Sequence, residues 1–316
     1  MSSIVVGVDF TPCSAVALGQ AIRIAAWSGA KVHVVHVIDT IVVIDLEEAL
    51  SPMQQGIRDG LLDLAHKAWA DFAERVPGAK GLPIEVSINN RIVGIHRRAR
   101  EDKAELLVMG AFGDRRPDVG LGTVATACVR KSMADVLLVR DTIGQQGAAP
   151  FKTIVAAVDF SPTSLLAVRS AAHFAAKDSA QLHLLHVFQA PQDRLHFRAP
   201  TPPTQPDIQE RYKRGLELRL TDFCRPALEP HATLAGGRTR FVVHDDSGHR
   251  SGITAYAKQV QADLIVLGTR GRTNIRDLLL GSTAEKVLEE SRCSILAVKP
   301  GGFEHPLTAD EQPKPM

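Results

Sequence analysis

The chain has 316 residues, enough for two ordinary domains of about 100 to 200 residues each. With 45% hydrophobic and 23% charged residues it lies far from a disordered composition, and a net charge of +2 gives no global reason to expect nucleic acid or an anionic membrane as partner. No segment approaches the roughly 18 consecutive apolar residues of a membrane span, and the opening "MSSIVVGVDF" has no basic flank, so the expectation is a protein neither secreted nor embedded.

Residues 4 to 38 open with a β-branched run and continue into a helical pattern and a second strand. They align without a gap on residues 154 to 188, with 15 of 35 positions identical, among them Asp9 with Asp159, Pro12 with Pro162, His33 with His183 and His36 with His186. The chain therefore contains one unit twice. Further along the first copy, "ELLVMGAFG" (105 to 113) matches "DLIVLGTRG" (263 to 271), and "DVLLVR" (135 to 140) matches "SILAVK" (294 to 299). The run "DTIGQQGAAPFK" (141 to 152) reads as a linker, which divides the chain into a first domain at 1–141, a linker at 142–151, a second domain at 152–300 and a flexible tail at 301–316. The second copy is longer, and the extra length falls around "RAPTPPTQPD", where Pro200, Pro202, Pro203 and Pro206 predict an extended loop.

In the second copy "TIVAAVD" is a predicted strand, "SLLAVRSAAHFAAK" a helix, "AQLHLLHVF" a strand and residues 207 to 228 a helix. There follow "TRFVVH", a helix near 251 to 260, "DLIVLG", a helix from about 282, and "SILAVK". This alternation predicts an α/β fold, as two tandem open parallel five-stranded sheets with helices on both faces, because parallel strands need crossovers and each crossover here is helical. Ligands of such sheets bind beyond the carboxyl ends of the strands, where strand order reverses.

The stretch "GTRGRTNIRDLLLGST" begins directly after the strand "DLIVL". Gly268 and Gly271 leave bare backbone for a ligand to approach. Gly281, Ser282 and Thr283 put free N–H groups and two hydroxyls at a helix N-terminus, which favours an anion. Arg270 and Arg272 flank the second glycine and add donors for phosphate. The alternative is a simple turn with Ser282 or Thr283 as N-cap. Asp159 ends its strand as an acceptor for a hydroxyl or amine, or else caps a helix beginning near Ser164.

The spacing of Gly268, Gly271, Gly281 and Ser282 resembles the universal stress protein family, whose nucleotide-binding members show G-x2-G-x9-G-[ST] after the fourth strand. The likeness extends over residues 152 to 300 and implies a Rossmann-like nucleotide-binding domain. It implies that Ala157, Val158 and Asp159 meet adenine and ribose, that Val187 closes the base pocket, and that Thr269 belongs to the phosphate loop. The cofactor so implied is ATP, with or without Mg. In the family the last strands commonly pair across a two-fold axis, so the resemblance also implies an internal pseudo-dimer joining 135–140 to 294–299, with homo-oligomerisation of the whole chain left open.

The first copy is similar in fold but departs at the site. Between Gly113 and Gly122 lie eight residues instead of nine, Ala111 and Phe112 replace Thr269 and Arg270, and Asp114 and Asp118 add negative charge. The deletion is expected to rotate the next helix start, turning the Gly122 and Thr123 N–H groups elsewhere. This copy is read as structural, or as binding something less anionic.

Other constellations are weaker. His244, Asp245, Asp246 and His249 read as a polar loop rather than a metal site, and His183 and His186 face opposite sides of a strand. The "HRRAR" run at 96 to 100 reads as a solvated helix face. Cys13, near a helix start, is either a favoured thiolate or plain packing, and the four cysteines lack disulfide or metal spacing, which suits a reducing cytoplasm. Neither half holds a P-loop. The expected function is thus a cytoplasmic, ATP-binding stress-response regulator, with a slow ATPase or phosphotransferase and a structural interaction module as alternatives.

Overall fold

The computed structural model describes residues 1–50, 56–113, 120–141, 148–189, 206–231, 234, 237–246, 248–271 and 280–301, without the side chains of 206–209 and 250. The chain divides into two compact units, one running to Ala149 and one starting at Pro150.

The first unit comprises β1 (Ser3–Gly7), α1 (Pro12–Ser28), β2 (Lys31–Asp39), α2 (Thr40–Leu50), α3 (Ile57–Arg75), β3 (Ile84–Asn89), α4 (Arg91–Glu101), β4 (Leu106–Gly110), α5 (Thr123–Lys131) and β5 (Asp135–Val139). Its strands are parallel in the order β3-β2-β1-β4-β5. The second unit follows with β6 (Thr153–Ala157), α6 (Pro162–Asp178), β7 (Gln181–Phe188), α7 (Pro206–Leu228), β8 (Thr239–Asp245), α8 (His249–Gln259), β9 (Leu264–Gly268), α9 (Ser282–Glu290) and β10 (Ser294–Val298). Its parallel order is β8-β7-β6-β9-β10. Each unit is the expected five-stranded sheet. In each, the chain runs outward from the first strand and then crosses to its other side, so strand order reverses between β1 and β4 and between β6 and β9.

The central strands are apolar because both of their faces are covered. Ile154, Val155, Ala156, Leu182, Leu184 and Val266 have no exposed surface, and Ile4, Val5, Val6, Leu107 and Val108 repeat this in the first unit. On β7, His183 faces α8, where its Nδ1 lies 2.8 Å from the Tyr256 hydroxyl. His186 faces the other side, against Phe160, with ring centroids 4.5 Å apart.

The first helix of each unit starts earlier than the hydrophobic pattern suggests. Helix α6 begins at Pro162, not near Ser164, because the Ser161 hydroxyl caps the Ser164 N–H at 3.1 Å and proline's fixed φ suits the first helical position. Asp159 therefore lies outside the helix, and its Oδ1 accepts the Ser161 N–H at 3.0 Å. Thr11, Pro12 and Asp9 do the same for α1.

The "HRRAR" helix face is a half-buried ion-pair network rather than a solvated surface. The Arg98 guanidinium binds both Asp102 and Glu85, and Arg97 reaches Glu85 at 3.2 Å, because β3 and the end of α4 carry carboxylates at these positions. Pro200, Pro202, Pro203, Asp114, Asp118 and the tail beyond residue 301 lie outside the described residues.

Candidate functional site

At the reversal between β6 and β9 the second unit encloses a cavity of about 340 Å³. Eleven of the twelve residues expected at the site line it: Ala157, Val158 and Asp159 from the end of β6, Val187 from β7, Gly268 at the end of β9 with Thr269 to Gly271 after it, and Gly281 to Thr283 at the start of α9. Arg272 lies outside the described residues. Parallel strand ends and one helix start thus converge from positions more than 120 residues apart in the chain.

The glycines at the cavity also serve packing. Gly268, Gly271 and Gly281 all avoid positive φ, so backbone freedom is not what they supply. A Cβ on Gly268 would lie 2.9 Å from Thr163 Cγ2, at the start of α6, and one on Gly271 would lie 2.8 Å from Asp159 Oδ2. The space left by each missing side chain is occupied by the protein itself. Strand β9 can therefore pack on α6, and the loop can close on the Asp159 carboxylate.

The loop is also pinned at its ends. The Thr269 N–H and hydroxyl both reach the Val298 carbonyl, at 2.9 and 3.2 Å, and the Gly281 N–H donates to the Thr269 carbonyl at 2.8 Å. The Thr269 hydroxyl is spent inside the fold, leaving its backbone at the cavity. Gly281 caps α9 without a side-chain hydrogen bond, so the first N–H groups of that helix open toward the cavity, beside the Ser282 and Thr283 hydroxyls. Asp159 lines the same cavity, its carboxylate lying against Gly271 of the loop. Acceptor and donor groups, Arg270 among the latter, therefore share one pocket.

Val158 is more committed than expected. Its N–H donates to the Leu185 carbonyl at 2.8 Å and its carbonyl receives His186 Nδ1 at 2.7 Å, leaving one carbonyl lone pair and the side chain for a ligand.

The sequence reading missed His249 and Ile253, both on α8 and both lining the cavity. His249 Nδ1 lies 2.9 Å from the Val187 carbonyl, so Nδ1 carries a proton and donates it to that oxygen. The signal for it was present: His249 and Gly252 recur as Arg91 and Gly94, with the same spacing, in the first copy. Asp246, weighed earlier as a metal ligand with His249, instead binds the Gly248 N–H and Ser251 hydroxyl at the start of α8, which hold its carboxyl below the usual range. Among the described residues no His, Cys, Asp or Glu group could hold a metal ion. Cys13 is buried, and burial pushes its thiol up, which removes the favoured-thiolate reading. Burial likewise pushes Cys224 up to about 12.

The expected rotation at the first unit's helix start does not occur. The Gly122 N–H donates to the Ala111 carbonyl at 2.9 Å, matching Gly281 and Thr269, and Gly122 caps α5 with φ −62° and ψ 147° against −69° and 145° for Gly281. The hydrogen bond from Gly122 to the end of the strand segment fixes the helix start as in the second unit.

Each unit is a doubly wound parallel α/β domain with a cavity at its switch point. The chain belongs to the universal stress protein family, which it matches over residues 1–140 and again over 150–299. Universal stress protein E of Escherichia coli strain K12 is 43% identical over 56 residues, which is 18% of each chain, so the match spans under a fifth of that relative's length. Universal stress protein A homolog 1 of Coxiella burnetii is 29% identical over 151 residues, 47% of this chain and 96% of that one. Among solved structures, a universal stress protein from Archaeoglobus fulgidus superposes with a TM-score of 0.63 over 95% of this chain and 98% of its own, at 17% identity, a likeness of fold alone. No helix among the described residues is long and apolar enough to cross a membrane.

Proposed function

We propose that the second unit binds ATP and that the chain acts as a nucleotide-dependent regulator in the cytoplasm. The observation that carries this reading is the switch-point cavity that gathers the end of β6, the loop after β9 with Arg270, and the start of α9. Adenine and ribose fit the β6 end, where Asp159 accepts a ribose hydroxyl and Ile253, Val187 and Leu267 flank the base. The polyphosphate fits the start of α9 and Arg270, where the first N–H groups, the helix dipole and a guanidinium all favour negative charge. A magnesium ion would accompany the phosphates as part of the ligand.

Binding exceeds chemistry in this reading. Among the described lining residues Asp159 is the one carboxylate, placed at the ribose end, and there is no lysine. Fast hydrolysis needs an oriented nucleophile and stabilisation specific to the transition state, beyond ground-state donors. Turnover is therefore expected well below the typical enzyme scale of about 10 per second.

Native mass spectrometry of the chain purified without added nucleotide tests the binding reading: a mass increment of one adenine nucleotide, restored by ATP after stripping, is expected. A chain that stays bare at millimolar ATP contradicts it. The last strands of the two repeats, residues 135–140 and 294–299, are proposed to pair within one chain. Cysteines placed on the two strands should then cross-link intramolecularly, and cross-linking only between chains would refute the pairing.

A further inference from the structure

The first unit carries its own cavity of about 500 Å³ at the reversal between β1 and β4. The half of it that corresponds to the base-and-ribose end of the second unit is repeated nearly atom for atom. The Val8 N–H donates to the Val35 carbonyl at 3.0 Å and the Val8 carbonyl receives His36 Nδ1 at 2.9 Å, as at Val158. Asp9 Oδ1 accepts the Thr11 N–H, and a Cβ on Gly113 would lie 2.9 Å from Asp9 Oδ2, as Gly271 does from Asp159. Ile95 stands on α4 where Ile253 stands on α8, and both line their cavities.

The other half keeps the start of α5 and the Thr123 hydroxyl, but among the described residues it has lost the arginine. Phe112 takes the place of Arg270, and is buried with its ring beneath the Arg140 guanidinium at 5.8 Å. Val124 takes the place of Thr283, and Ala111, fully buried, that of Thr269. The remaining charged side chains on the described wall are two carboxylates, Asp9 and Asp39, against one guanidinium, Arg91, and Arg91 is already bound to Asp39 at 3.1 Å. Among the described residues a polyphosphate here would meet Phe112 and Val124 in place of Arg270 and Thr283, a cation already paired and a second acidic group. Burying anionic charge without a partner is costly.

We infer that the first unit's cavity binds an uncharged purine nucleoside and excludes its phosphorylated forms. The ribose hydroxyls are donors matched to Asp9 and Asp39, and the described positions of the arginine and threonine now present apolar side chains, Phe112 and Val124. The assignment rests on reading the second unit's cavity as an adenine-nucleotide site, since the shared half is what identifies the base and sugar. The two units then read different species, one the phosphorylated nucleotide and the other the nucleoside left after its phosphates are removed.

Equilibrium dialysis of the full chain with radiolabelled adenosine, in the presence and absence of excess ATP, tests this. One equivalent of adenosine should bind even at saturating ATP. Gly113→Val, which displaces the Asp9 carboxylate, and Val124→Phe, which fills the cavity from α5, should each weaken that binding at least about tenfold while leaving ATP binding unchanged. Using both variants, each checked by circular dichroism, guards against one that fails to fold. No adenosine binding, adenosine binding that survives both substitutions, or displacement of all bound adenosine by ATP would overturn the inference. A wild-type chain that binds no ATP contradicts the second unit's reading instead, and the variants' loss of adenosine remains a separate readout.

Discussion

Phe10 and Phe160 each sit at φ 63°, a left-handed conformation that costs a bulky L-residue about 1–2 kcal/mol. Both put the ring against a histidine, His36 or His186, at 4.5 Å, so the strain is offset by stacking and sets the chain's exit from the strand toward the helix cap. No such return is visible at Ser179, which ends α6 at φ 56° on the surface where Gly29 ends α1 at φ 72°. Glycine carries no Cβ penalty there. Ser179→Gly should raise unfolding free energy by about 0.5–1 kcal/mol, measured by urea denaturation; a loss of stability would show that the serine side chain holds something the backbone argument omits.

At the level of elements, α8 and β7 approach so closely that a Cβ on Gly252 would lie 2.6 Å from Val187 Cγ1. Gly94 meets Val37 Cγ2 at 2.8 Å in the same way. Gly252→Ala should cost about 1–3 kcal/mol by overpacking, and adding Val187→Ala should recover part of it. Equal losses in the single and double variants would contradict the contact. Such contacts explain what the sequence could and could not reveal. The strands and their order of appearance were legible because β-branched runs recur in both copies, and the place of Gly268, Gly271 and Gly281 at the cavity was legible from their spacing. Their packing role was not. A glycine that admits a ligand and one that admits Thr163 or Asp159 look identical in sequence, since the partner lies about 100 residues away. The helix start at Gly122 was misjudged for a related reason, because counting residues along a loop ignores the Gly122–Ala111 hydrogen bond that fixes its end. His249 was missed because it enters the site from the third crossover, which the motif does not contain.

For the whole chain, His36, His173 and His183 share one electrostatic feature: burial holds each below the ordinary imidazole value of 6.5, aided at His183 by the charge of Arg240. Because their folded values are depressed, the unfolded chain takes up protons first. The stability they contribute is complete above about pH 6.5 and is lost as pH falls below it. Unfolding free energy should therefore drop between pH 7.5 and 5.5, and His183→Gln should flatten the dependence; a wild-type profile level across that range would contradict buried neutral imidazoles.

The central claim is that one of two similar cavities holds ATP, and calorimetric titration of the full chain with ATP tests it most directly. One equivalent per chain is predicted, with affinity reduced at least about tenfold in Arg270→Phe, which gives the second unit the first unit's residue at the phosphate end. Two equivalents, none, or an affinity unchanged by that substitution would contradict the account.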